Sequence, residues 1–235
     1  MVDADELQEL AMTGLKTWMF DCFQSTEQLS TAVTQTGTAT TGLQQLLLNT
    51  GVQSLSTARI NYARQWFNPL YGTLYFKLRL SDMKDVFMFA GLTTTLTNPA
   101  WTIGTPMPAW AKFSHTGIMV YQGSLYFVTG DGGPSSPQVR VTPVADADMT
   151  RWLVFKVEGA SFSWYSLPYT VPYFDKDVLP GIKQGIIRKW SGVYSNATCA
   201  PDDAQHYMVF YIKNLVGAAK WLEVEKVSYA EVYPD

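Results

Sequence analysis

Two imidazoles, with the acids and hydroxyls beside them, are the side chains best suited to chemistry in this chain. His115 lies in Phe113-Ser114-His115-Thr116-Gly117, and His206 closely follows Asp202 and Asp203; among unperturbed side chains only an imidazole changes charge near neutral pH. A serine beside a histidine invites a nucleophile–base reading. Adjacent side chains on a strand point to opposite faces, however, so Ser114 and His115 do not make that pair. Asp202, Asp203 and His206 could orient an imidazole or hold a cation, and a solvated loop leading into a strand accounts for all three. His206 is kept as a binding candidate. The run Gly130-Asp131-Gly132-Gly133-Pro134 has the glycines of a phosphate or calcium loop. It lacks the Gly-Lys-Ser/Thr ending of the first and the alternating carboxylates of the second. No Gly-x-Ser-x-Gly, His-Glu-x-x-His or Cys-x-x-Cys occurs. The expectation is therefore no catalytic residue, no metal site and no cofactor.

The elements that position these groups are organised around Gly72–Leu92. Leu74, Phe76, Leu78 and Leu80 alternate with Tyr75, Lys77 and Arg79, the period of an antiparallel strand with one core face and one wet face. After a polar turn, Val86-Phe87-Met88-Phe89-Ala90 is apolar on both faces, as a strand covered on both sides requires. Leu43–Leu48 and Ser56–Arg64 read as two strands around a turn at Asn49–Gly51. Gly117–Thr129 reads as a hairpin turning at Gln122-Gly123, and Arg151–Glu158 with Ser161–Ser166 as a second hairpin that pairs near the central one. Residues 207–213 and 220–233 close the chain as long strands. Leu15–Phe23 is a first strand, 24–41 is loop or weak strand, and a short N-terminal helix or arm occupies residues 1–14. A strand is expected around Ile186-Ile187 and a polar loop over 190–204. The domain reading is one β-sandwich over 15–235.

Composition narrows the function. A net charge of −3, with 17 Lys and Arg that form no run, argues against nucleic-acid binding. No stretch approaches the ~18 apolar residues of a membrane span, and the acidic N-terminus does not resemble an export signal. Cys22 and Cys199 lack metal spacing, leaving two buried thiols, the favoured reading, or one long-range disulfide. The chain has 8 Trp and 13 Tyr, more than one sandwich interior holds. Trp101, Trp110 and Trp190, in long loops, are the candidates for exposed anchors that stack on sugars or meet a partner.

The run LLLNTGVQSLSTARINYARQWFNPLYGTLYFKLRLSDMKDVFMFAGL, the hairpin RWLVFKVEGASFSWYS and the terminal KWLEVEKVSYAEVYP together resemble the concanavalin-A-like jelly roll, in particular the form found in structural proteins of tailed phages and archaeal viruses. The resemblance implies an all-β sandwich of two antiparallel sheets in which the first and last strands share a sheet. It also implies glycan recognition, glycosidase activity or a place in a virion. Glycosidases on this fold carry Glu-x-Asp-x-x-Glu or Glu-x-Asp-x-Glu on one strand face, since retaining hydrolysis needs two carboxylates ~5–5.5 Å apart. The nearest run, Glu223-Val224-Glu225, lacks the middle Asp and reads as the solvent face of an edge strand. The function expected is thus non-enzymatic: a virion structural or surface protein contacting other virion proteins, itself or a host-surface glycan. Its location would be the virion, or the infected host's cytoplasm before assembly. A lectin-like carbohydrate-binding module is the alternative.

Overall fold

The computed structural model describes residues 15–21, 23, 29, 33–35, 37–42, 45–96, 113–132, 139–145, 147–166, 190–195 and 199–232. Within them the chain is a sandwich of two antiparallel sheets, the jelly roll that the sequence resembles, with no helix among the described residues. The strands are β1 (Leu15–Asp21), β2 (Val33–Gln35), β3 (Thr38–Gly42), β4 (Gln45–Asn49), β5 (Thr57–Asn61), β6 (Gly72–Leu80), β7 (Val86–Thr93), β8 (Ser114–Tyr121), β9 (Ser124–Asp131), β10 (Val139–Val144), β11 (Leu153–Glu158), β12 (Ser161–Ser166), β13 (Trp190–Ser195), β14 (Tyr207–Asn214) and β15 (Trp221–Val232). The eight-stranded sheet runs β13-β12-β11-β6-β15-β4-β3, with β1 also on β15. The seven-stranded sheet runs β10-β9-β8-β7-β14-β5-β2.

Alternation sets which side chains meet. Leu74, Phe76, Leu78 and Leu80 of β6 and Leu153, Phe155 and Val157 of β11 point inward, as do Met88, Ala90 and Leu92 of β7 and Ile118 and Val120 of β8. A file of rings spans the two layers: Phe76 on Phe155 (5.4 Å), Phe155 on Phe162 (5.7 Å) and Phe162 on Phe127 (5.1 Å), all stacked. Fully burying such a side chain stabilises the fold by roughly 1.5–3 kcal/mol. At the β8–β9 turn Gln122 and Gly123 have φ of 47° and 87°, the double positive φ that matches the twist of a two-residue hairpin. The β5–β6 corner is fixed by Tyr229, whose hydroxyl donates to the Asn68 carbonyl (2.8 Å) and accepts the Asn68 N–H (2.7 Å).

Several expectations are corrected. Residues 190–195 form β13 rather than loop, paired with β12 and, among the described residues, at a sheet edge, with the register slipping beside Gly192; a glycine-interrupted run carries too little alternation to announce a strand. β15 is interior, between β6 on one side and β4 and β1 on the other. Glu223 and Glu225 therefore do not mark an edge: they bond Arg79 and Lys77 of β6. Tyr75 and Lys77, expected on a wet face, are buried, because this ladder of opposite charges lets the aliphatic stems pack together. In the Thr-rich stretch β2 and β3 do form, and Leu29, bridged to Tyr62, is buried. The N-terminal helix, Cys22 and the strand at 186–187 lie outside the described residues.

Candidate functional site

The outer face of the seven-stranded sheet is built from the alternate residues of β7, β8, β9 and β14, the ones that do not enter the core. Phe87, Phe89, Met119, Tyr121, Val128, Val209 and Tyr211 form a second buried apolar cluster there, with Tyr126, Val139, Val141 and Tyr207 partly exposed at its margin. At its centre Gly91 and Gly117 are register partners. A Cβ on Gly117 would stand 2.4 Å from the Ala90 carbonyl oxygen and 2.8 Å from the Gly91 Cα, so both positions must stay bare. Glycine in a strand interior marks close approach of a ligand or another backbone. Arg59 and Asn61 of β5 lie on the same face, and the Arg59 guanidinium donates to the Leu96 carbonyl. Burial lowers the pKa of Arg59 and raises that of Tyr211 to about 12 despite the neighbouring guanidinium.

The chemistry gathers at one end of this sheet, on both of its sides. His115 follows Ser114 on β8 and lies outward, its ring over Gly130, where a Cβ would come within 2.3 Å of the ring carbon Cε1. Its Nδ1 donates to the Phe113 carbonyl (2.8 Å). Ser114 faces the other way and meets His206 (Oγ to Nε2, 2.9 Å). Since His206 Nδ1 faces the Ala204 carbonyl at 2.6 Å, which can only accept, Nδ1 holds the proton and Nε2 accepts from the serine. Burial lowers both imidazoles to about 4, so both are neutral at pH 7. Asp131, at the end of β9, pairs in register with Ser114. The Asp202 N–H donates to Ser114 Oγ at 2.7 Å. Burial, then the negative charge of Asp131, raises the Asp202 carboxyl above its ordinary range. Asp203 is held by the Asn68 side-chain amide (2.7 Å) and the Tyr71 hydroxyl (3.4 Å).

This geometry revises the reading of the candidates. His206 is fully buried, not part of a solvated loop, because its backbone pairs with Phe67 and its ring with Ser114. The serine partner expected to be absent beside His115 exists for the other histidine, a contact 92 residues apart that local spacing could not reveal. Trp101 and Trp110 lie outside the described residues, and Trp190 opens β13 with its side chain outside them. Asp131 and Asp202, each in a motif of its own, are brought together by the fold, and no local spacing links them. Cys199 is a buried thiol bonded to the Thr129 carbonyl (3.6 Å), and burial raises its pKa. Among the described residues no three His, Cys, Asp or Glu side chains are grouped to share a metal ion.

No family model matches the chain, and no curated protein matches it. Solved structures do. A β-glucanase of Bacillus licheniformis aligns at TM-score 0.56 and 10% identity over 93% of this chain and 99% of that one. An endo-acting O-glycanase of the human gut microbiota aligns at 0.53 and 12% identity over 92% and 99%. A pseudo β-1,3-glucanase of Mycobacterium tuberculosis aligns at 0.53 and 9% identity over 94% and 100%. Identities this low carry the fold alone. They nevertheless correct the expectations of a non-enzymatic virion protein and of a chain that is no enzyme: the end-to-end counterparts of this sandwich include named glycanases, and the viral context of the resemblance finds no support in them.

Proposed function

We propose that the protein is a carbohydrate-active enzyme that receives a polysaccharide at the end of the seven-stranded sheet where Asp131 and Asp202 meet. The observation that carries this reading is the acid pair. Burial and then the negative charge of Asp131 raise the Asp202 carboxyl above its ordinary range, as glycoside hydrolysis requires of a general acid. The end-to-end likeness to glycanases supports the sugar as substrate. The acids do not come from a single strand. The outward positions of β8 are His115, Gly117, Met119 and Tyr121, none of them acidic, so Asp131 from β9 and Asp202 from the 199–206 segment replace a Glu-x-Asp-x-Glu strand. Tyr207, directly after His206, and Val139, which pairs with Gly130, lie partly exposed on the outer face at the same end of the sheet and suit a sugar ring.

The test is release of reducing ends from a panel of β-glucans and mucin O-glycans. Turnover is expected for at least one class, with Asp202→Asn and Asp131→Asn each losing at least ~100-fold in kcat, the scale of a lost acid or base. Binding of a glycan with no new reducing ends would contradict the catalytic assignment. Undiminished turnover in both variants would contradict the choice of residues.

A further inference from the structure

We propose that residues 199–206 form a strap across one end of the sandwich, and that protonation of His206 releases it. The strap is tied at several points. Cys199 Sγ–H donates to Thr129 of β9, the Asp202 N–H to Ser114 of β8, and the Asn68 amide to Asp203. The Gln65 amide donates to the Gln205 carbonyl, and His206 and Phe67 exchange backbone bonds at 2.7 and 3.2 Å. Segments distant in sequence, 65–71 and the β8–β9 end, are thereby joined through eight residues.

One hydroxyl sets the polarity of the central tie. Ser114 Oγ accepts from the Asp202 N–H and spends its proton on His206 Nε2, while His206 spends its own on the Ala204 carbonyl. Every donor meets an acceptor only while the imidazole is neutral. A second proton on Nε2 would turn the Ser114 hydroxyl away, take from its hydrogen the acceptor it has, and place a charge where Ser114 is 1% and His206 0% exposed. The titratable groups on the elements that meet here are His115 of β8, Asp131 of β9, Asp202 and Asp203 of the strap, Tyr71 of the corner and Tyr229 of β15, and none of them raises the imidazole's pKa. Asp203 already bonds Asn68 and Tyr71, Tyr229 bonds Asn68, and His115 opposes a second positive charge. Burial outweighs the rest, since His206 falls to about 4.

The sign follows. A histidine whose folded pKa lies below its unfolded value of 6.5 contributes stability that is fully present above pH 6.5 and lost as pH falls towards 4. The released strap, with an ordinary imidazole, gains population over that window by roughly 10²-fold. The inference goes beyond the glycan reading and stands or falls without it, although the strap carries Asp202.

Hydrogen exchange of the full chain, corrected for the intrinsic pH dependence of exchange, tests it. Peptides spanning 199–206 are expected to open tens of times more often at pH 4.5 than at pH 7, while β14 stays protected. His206→Gln should abolish that dependence and His115→Gln should keep it. In the unmodified protein, NMR titration should find His206 as the Nδ1–H tautomer with a strongly depressed pKa, a readout that survives if a variant fails to fold. A pH-independent strap, a His206→Gln variant that keeps the full dependence, an equal loss in His115→Gln, or an ordinary His206 pKa would each overturn the proposal.

Discussion

The two outer faces of the sandwich are made by the same alternation yet finished in opposite ways. On the eight-stranded sheet the outward residues of β6 and β15 are charged and paired: Lys77 with Glu225 at 2.5 Å and Arg79 with Glu223. Lys77 and Arg79 also lie over the Trp152 ring, 5.2 and 4.7 Å from its centroid, and Arg79 over Trp221 at 5.4 Å. On the seven-stranded sheet the outward residues of β7 and β8 are Phe87, Phe89, Gly91, Gly117, Met119 and Tyr121, with no ion pair among the described residues of those two strands. The first face satisfies its own charges and leaves little for a ligand. The second is apolar over bare glycine backbone, with Arg59 and Tyr211 in its middle row and His115 at one end; sugar sites likewise set a few polar groups for orientation among apolar surface.

The largest effect that would break this contrast lies on the apolar face. Phe89→Ala removes a ring that is 1% exposed and should cost about 3–5 kcal/mol in urea unfolding, as for a core phenylalanine. A loss under ~1 kcal/mol would mean that the face is not a second core. On the charged face Glu225→Ala strips the partner from Lys77, whose side chain is 8% exposed. About 1–3 kcal/mol is expected, against less than ~0.5 kcal/mol for Arg151→Ala, whose pair with Asp148 is more than half exposed on both sides. Equal effects from the two would reduce the charged ladder to surface decoration.

Much of the sandwich was legible because a period of two is local information. The alternation of β6, the two-sided apolarity of β7 and the Gln122-Gly123 hairpin all follow from neighbours a few residues apart. What was missed depends on distance in sequence. The Ser114–His206 bond, the burial of His206 by Phe67, and the interior place of β15 are set by contacts that no spacing rule contains. Asp131 and Asp202 are hidden for the same reason, since one ends β9 and the other lies in the segment before β14, and each resembles an ordinary loop residue when taken singly. The catalytic-strand criterion failed differently. It asks whether one strand carries the acids, so it is silent about acids brought together from two segments.

Backbone and aromatic NMR signals followed during titration with a β-glucan or O-glycan oligosaccharide test most directly where a sugar binds. Shifts confined to Tyr207, Val139, Asp131 and Asp202 are the expected result. Shifts at Trp152 and Trp221 on the opposite sheet, or none with any oligosaccharide, would contradict a sugar site at the acid-bearing end of the seven-stranded sheet.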